Sequence, residues 1–377
     1  MRLRSRASFL VLGILLVGMV GCGGGGSPAA PSPTPTPVPT TPQPSAAKLQ
    51  IHYIDVGQGD AAVLISPGGE SVMFDDGVSS GCGKVTSYLR QLGLTRIDYH
   101  IASHYHADHI GCAQAVFSAF PLSRAAYDRG SSYSTATFTS YLSAVGGFRQ
   151  TATVGSSISL DAGASTPVRI DIVAMNGNGV STDDENALSI VSVVHYGTFD
   201  AAFGGDLTGA SDGGGADIES SVAGRVGRVE VYKVHHHGSK YSSNSTWLSA
   251  TAPKVGIISV GNGNSYGHPT AECLGRLHSA GVNTYWTEFG AGTAPGGGDI
   301  VAGDVRVDVD AAAGTFTVGH GGSSESYTMW EGRSLTAPTY VPVFSTWTTP
   351  RTGGGPVVGW TAPARDSRPI RRIEREK

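Results

Sequence analysis

From Leu49 onward the chain alternates short apolar runs with turn-forming residues. "LQIHYIDVG" has the partial two-residue alternation of a strand. "DAAVLISPGG" is a second strand closed by Pro-Gly-Gly, and "ESVMFDDG" a third closed by Asp75, Asp76 and Gly77. Short strands joined by tight turns predict antiparallel hairpins. Over 84–94 the period changes, with Val85, Tyr88, Leu89 and Leu92 at helical spacing and Gly93 near the C-terminal cap. "IDYHIASH" predicts a strand that ends at His104, and "HIGCAQAVFSAF" a helix that ends before Pro121. The stretch 124–165, rich in Ser, Thr, Gly and Ala, shows little period. Beyond it, "VRIDIVAM", "SIVSVVHYG", "FDAAFGGDL", "VEVYKVHHHGSK" and "KVGIISVGNG" read as strands. "STWLSATAP" and 270–281 read as helices, and 305–319 as a terminal hairpin. This order fits a layered α/β domain with mixed sheets.

The ends of the chain lack such periods. Arg2, Arg4 and Arg6 precede an apolar run from Phe9 to Val20 that is short for a membrane span and reads as an export signal. Met19-Val20-Gly21-Cys22 resembles the lipobox of bacterial lipoproteins. By that resemblance residues 1–21 are a signal peptide and Cys22 becomes the lipidated first residue of the mature chain. The Gly/Pro-rich stretch 22–48 then reads as a tether, kept extended by proline and loose by glycine. The folded domain is expected over 49–320, and 321–377 is expected to be a C-terminal extension, flexible in part. No transmembrane domain is read in the mature chain. The expected location is the outer face of the cell membrane or, in a Gram-negative envelope, the outer membrane.

Composition adds bounds. The 377 residues carry a net charge of -4, which does not suggest a strongly basic nucleic-acid binder but leaves room for a local basic groove. With Cys22 set aside, Cys82, Cys112 and Cys273 remain. Export permits a disulfide, and the sequence leaves the pairing open. The Gly-rich stretch 209–217 lacks the Lys-Ser/Thr of a phosphate loop and reads as a surface excursion.

Candidate chemistry is concentrated in "IASHYHADHIGC", residues 101–112. In an extended chain His104, His106 and Asp108 share one face, and His109 points elsewhere. Imidazole suits zinc and other transition metals, and carboxylate suits harder ions. Unpaired buried charge is expensive, so such a cluster at a strand end predicts metal binding.

The motif resembles the HxHxDH signature of the metallo-β-lactamase superfamily. "DVGQGDAAVLI", "SHYHADHIG", "FGGDL", "VHHHGSKYSSN" and "SVGNGNSYGHP" occur in the order seen in the extracellular hydrolase domain of ComEC/Rec2 competence proteins and their stand-alone relatives. The resemblance implies a four-layer αββα fold with two divalent metal ions at one edge, zinc as the expected ion and manganese as the alternative. It implies His104 and His106 on the first metal, Asp108 and His109 on the second, and Asp206 bridging both. "HHH" leaves the late second-metal ligand open between His236, the favoured one, and His237. A further first-metal histidine found in many superfamily hydrolases is missing near "DDENALSIVSVV". Asn186 or a water is the candidate replacement, with His195 a weaker one, and the first site is expected to be the weaker of the two.

The reaction implied is metal-dependent hydrolysis by an activated water, with a phosphodiester substrate such as DNA or RNA. Asp108 is expected to orient the water as well as bind metal, and His268 to assist as acid or phosphate donor. Asp55, Gln58 and Asp76 are candidates to support the ligands. Ser239 and Lys240 are candidates for phosphate contact, and Tyr241 and Tyr266 for stacking on a base, against a bland reading as partial core. Asn262 and Asn264 read as turn residues. The alternatives are hydrolysis of another ester, a lactam or a small phosphodiester, and a non-catalytic surface binding module that keeps its metals for structure.

Overall fold

The computed structural model describes residues 48–210 and 215–331. The signal, Cys22, most of the tether and the tail that ends in 368–377 lie outside the described residues, as does part of the Gly-rich stretch 209–217. In chain order the first half contributes β1 (Leu49–Tyr53), β2 (Ala61–Ile65), β3 (Ser71–Asp76), α1 (Cys82–Gln91), β4 (Ile97–Ile101), α2 (Ala113–Ala119), β5 (Leu122–Asp128), α3 (Ala136–Val145) and β6 (Arg149–Thr151). The second half contributes β7 (Ser157–Leu160), β8 (Val168–Ala174), β9 (Val191–Tyr196), β10 (Phe199–Phe203), α4 (Glu219–Val226), β11 (Val231–Lys233), α5 (Ser245–Thr251), β12 (Val255–Ile258), α6 (Ala271–Ser279), β13 (Asn283–Trp286) and β14 (Asp299–Val301). β15 (Val305–Asp310), β16 (Thr315–His320) and β17 (Ser323–Thr328) then return to the first sheet.

The first sheet runs β17-β16-β15-β1-β2-β3-β4-β5-β6, and the second β14-β13-β12-β11-β10-β9-β8-β7. Alternation along each strand decides which layer its side chains fill. Leu49, Ile51 and Tyr53 of β1 share an inner core with Val168, Ile170 and Ile172 of β8 and Phe199 and Ala201 of β10. The other face of the first sheet, with Val63 and Met73, packs on Val85 and Leu89 of α1, Val116 of α2 and Phe138 of α3. The other face of the second sheet, with Val193, Tyr232 and Trp286, packs on Val222 of α4, Trp247 of α5 and Leu274 of α6. The layers are αββα, as the family resemblance implies.

Strand direction places the site. β1, β2 and β3 are antiparallel, as read from their turns, but β3, β4 and β5 are parallel. In the second sheet β10, β11, β12 and β13 are parallel. Loops leaving the C-terminal ends of β4, β10 and β11 carry the predicted ligands.

Three expectations need adjusting. The hairpin at 305–319 continues into β17, so the sheet runs past residue 320. The weakly periodic 124–165 holds α3, β6 and β7, and α4 had no clear signal. The strand read through "VEVYKVHHHGSK" stops at Lys233, because His236 and His237 adopt left-handed backbone at φ 51° and φ 54° and turn the chain.

Candidate metal centre

Asp206 stands at the middle of the cluster. Its Oδ1 lies 3.2 Å from His109 Nε2 and 3.6 Å from His237 Nε2. Asp108 Oδ2 lies 3.3 Å from His237 Nε2 and 3.9 Å from His109 Nε2. On the other side, Asp206 Oδ2 lies 4.0 Å from His104 Nε2 and 3.8 Å from His236 Nε2, and His104 Nε2 is 3.0 Å from His106 Nδ1. Asp108, His109, Asp206 and His237 thus form one group that could hold a metal, and His104, His106 and Asp206 a second.

The geometry separates the two candidates that "HHH" leaves open. His237, rather than His236, faces Asp108 and His109. The two left-handed residues rotate successive side chains to opposite sides of Asp206, a backbone conformation that residue types do not reveal. His236 instead comes within 3.5 Å of Asn186, where the missing histidine was sought. His235 points away and lies 2.6 Å from Glu219. His195 pairs with Asp200 at 2.7 Å and Asp171 at 3.4 Å, and does not line the cleft.

The hydrogen-bond pattern fits metal ligation. His237 Nδ1 lies 2.8 Å from the Ser259 carbonyl, an acceptor only, so Nδ1 carries the proton. His109 Nδ1 lies 2.8 Å from Asp75 Oδ2. In the neutral rings both Nε2 lone pairs then aim at the cluster. His109 Nε2, His237 Nε2 and Asp206 Oδ1 are buried without a hydrogen-bond partner, an arrangement that normally demands explanation. A divalent cation supplies it, and the nitrogen-oxygen donor set suits a transition metal.

The charges agree. Burial opposes a charge on His237, but Asp206, Asp60 and Asp108 outweigh it and raise the ring to about 10. Burial likewise opposes the His109 charge, and Asp206, Asp108 and Asp75 raise it well above its ordinary value. Burial would raise Asp206, yet His109, His237 and His236 hold it well below the usual carboxylate range. In the metal-free protein, protons on His109 and His237 therefore balance the carboxylates. His104 is different: burial, then His109, keeps it well below its ordinary value and neutral.

The supporting residues are only partly those expected. Asp55 pairs with Lys84 at 3.0 Å, and its carboxylate accepts from Gly57 N, away from the ligand side chains. Asp76 acts on the backbone of the ligand loop: its carboxylate accepts from Cys112 N at 2.6 Å, and its own N donates to His109 O at 2.7 Å. Gln58 lines the cleft and accepts from Gly261 N at 3.1 Å. Besides the Ser259 carbonyl on His237, ligand rings are touched by Ser103, whose Oγ lies 3.0 Å from His104 Nδ1, and by the carboxylates of Asp75 and Asp60. Asp75 also accepts from Ser103 N and Oγ, both at 2.7 Å. Asp60 Oδ1 lies 3.3 Å from His237 Nδ1, and its Oδ2 pairs with buried Lys233 at 2.7 Å. The GQGD loop also reaches Asp108: Asp60 N donates to its carbonyl at 3.0 Å. Gly59 is needed there, since a Cβ would come within 2.5 Å of that oxygen. The acids that end "DVGQGD" and sit in tandem in "FDDG" are the sequence signal for Asp60 and Asp75. Glu185 adds a third support: it accepts from Tyr105 N at 2.9 Å and pairs with Arg129.

His268 lines the cleft with Asp108, Asp206 and His237. Burial, then His237 and His236, pushes it down to about 4, so at neutral pH the ring is uncharged and fits a neutral hydrogen-bonding role better than that of an acid. Ser239 and Lys240 do not line the cleft. Ser239 Oγ accepts from Tyr241 N at 3.3 Å, and Lys240 covers the Tyr241 ring.

A model of the metallo-beta-lactamase superfamily matches residues 54–262, which carry the whole cluster apart from His268. The chain belongs to this superfamily. Among similar proteins, Recombination protein 2 of Haemophilus influenzae is 27% identical over 234 residues, covering 61% of this chain and 26% of the relative. ComE operon protein 3 of Bacillus subtilis is 36% identical over 61 residues, covering 16% of this chain and 8% of the relative. The chain thus spans about a quarter or less of the length of these relatives. Both support the ComEC/Rec2-type resemblance. Solved structures with a similar fold include the metallo-beta-lactamase fold protein YhfI of Bacillus subtilis, with a TM-score of 0.40, 11% identity, and coverage of 66% of this chain and 99% of that one. A protein of Parabacteroides distasonis gives a TM-score of 0.39, 14% identity, and coverage of 63% and 92%.

Proposed function

We propose that this protein is a metal-dependent phosphodiesterase that acts on nucleic acid. The observation that carries the reading is the pair of donor groups that share Asp206. Asp108, His109 and His237 with Asp206 would hold one ion, and His104, His106 and His236 with Asp206 the other. A pair of divalent ions would supply the positive charge and the activated water that phosphodiester cleavage needs. The carboxylate of Asp108 is partly open to the cleft and would orient the attacking water. Asp75 and Ser259 hold the rings of His109 and His237 in the tautomer that presents Nε2. Neutral His268 would hydrogen-bond a phosphate oxygen. The relative named for recombination favours DNA over a lactam or a simple ester.

An exported, lipid-anchored setting is part of the proposal. The disulfide between Cys82 and Cys112 supports an oxidising compartment. Cys22 would carry the lipid, and labelled fatty acid entering the wild type but not Cys22→Ala tests that part. For the reaction, DNA, RNA, a chromogenic diester, an ester and a lactam are offered to the zinc- or manganese-loaded protein. Chelator-sensitive cleavage of the diesters is expected. Cleavage of lactam or ester alone would overturn the substrate class.

A further inference from the structure

Among the described residues, the large aromatic side chains most open to solvent are Tyr266, 67% exposed, and Phe289, 62% exposed. Both lie on the edge that bears the cluster. Tyr266 lines the same cleft as Asp108, Asp206 and His237, and its ring stacks on His268 at a centroid distance of 5.7 Å. Phe289 lies on the neighbouring loop, which is tied to the first by Gly263 N donating to Gly290 O at 3.1 Å.

Each ring is presented by an asparagine. Asn264 Oδ1 accepts from Tyr266 N at 3.2 Å and from His268 N at 3.1 Å, and its Nδ2 donates to Gly261 O and His268 O. Asn262 Oδ1 accepts from Phe289 N at 2.8 Å. Exposed aromatic rings on pinned loops lose little further entropy when a flat partner binds. Their burial contributes nothing to the core, so their rigid presentation fits recognition.

We propose that Tyr266 and Phe289 form a stacking platform for the unpaired bases of a single-stranded nucleic acid. The proposal rests on the phosphodiesterase reading of the adjoining cluster and adds its substrate form. A strand whose phosphate meets the cluster places a base beside Tyr266. In a duplex the base faces are already stacked on their neighbours and are closed to these rings. Stacking is tolerant of sequence, because every base has a flat face. A membrane surface is the less favoured occupant, since a bilayer resting on Tyr266 would cover the cleft that it lines.

The test is fluorescence anisotropy of the full chain in chelator, with a labelled single strand, the same strand as a duplex, and an abasic strand of equal length. The single strand should bind at least about 10-fold more tightly than the abasic one, and more tightly than the duplex. The double variant Tyr266→Ala/Phe289→Ala should lose the preference for bases, and Tyr266→Trp should keep it. Equal binding of all three strands, or a preference that survives the double variant, overturns the platform. So does a double variant that loses binding only to lipid vesicles. Hydrolysis of a chromogenic diester by the metal-loaded protein separates the two ideas. Hydrolysis without base preference removes only the platform, and base preference without hydrolysis of any diester removes only the reaction.

Discussion

His237 shows how one side chain reports on the whole centre. Its raised value has a definite consequence for the metal-free protein. A ring that titrates near 6.5 when unfolded and about 10 when folded stabilises the fold fully below 6.5, and that contribution is lost as pH rises through about 10. The melting temperature of the chelated protein should therefore fall between neutral pH and 10, and His237→Ala should flatten that fall; a flat wild-type profile would contradict the charge assignment. Metal must displace the same protons, so binding should release protons and tighten with rising pH. Calorimetry in buffers of differing ionisation enthalpy measures the release. Asp75→Asn keeps a side chain that tolerates the left-handed φ of 49° at this position but removes the charge facing His109. It should weaken metal binding by about 10–100-fold with little change in fold. An unchanged affinity would remove Asp75 from the role given to it. The residue scale is also where the sequence was least legible. HxHxDH stands out by residue type, whereas Asp206 is marked only through the family resemblance of its block. The choice between His236 and His237 depends on backbone angles. The partnership of His109 with Asp75 spans 34 residues and that of Lys233 with Asp60 links two sheets, so no local pattern announces either.

At the scale of elements, the ligand loop between β4 and α2 is braced from several sides. The Cys82–Cys112 disulfide ties the start of α1 to the residue before α2, just beyond His109. Asp76 bonds the same loop through Cys112 N and His109 O. With the cysteines at a sequence separation of 30, the Cys82→Ser/Cys112→Ser double variant should lose about 3–4 kcal/mol of stability. Chemical denaturation reads this directly, and metal titration of the same variant should show weaker uptake. Stability unaltered by the double substitution would mean that the bridge does not constrain the loop. Buried Lys233, at the end of β11, is a second brace. Lys233→Met takes from Asp60 its lysine partner and leaves the buried carboxylate with His237 as its nearest cation, and should cost about 3–5 kcal/mol. The strands and amphipathic helices around these braces were largely readable from period two and period 3.6. α3 and α4 were not, because Ser, Thr, Gly and Ala dilute their apolar faces, and only packing against the sheets identifies them.

For the whole molecule, two sheets bring the C-terminal ends of β4, β10 and β11 to one edge, and neither sheet alone holds either of the two donor groups that share Asp206. Asp206, His236 and His237 come from the second sheet, and His104, His106, Asp108 and His109 from the first. Inter-sheet packing by Phe74 and Phe203, stacked at 4.0 Å, therefore helps set the distance between ligands. The central claim is that this shared edge is a two-ion centre that cleaves a nucleic-acid phosphodiester. The most direct measurement is the cleavage rate of single-stranded DNA by the full chain as zinc or manganese is added stepwise to metal-free protein, with Asp206→Ala in parallel. The account predicts that the rate climbs as the second equivalent binds, and that Asp206→Ala loses both the second equivalent and nearly all of the rate. Cleavage that persists in chelator, or metal-saturated wild type that cuts no DNA, would contradict it.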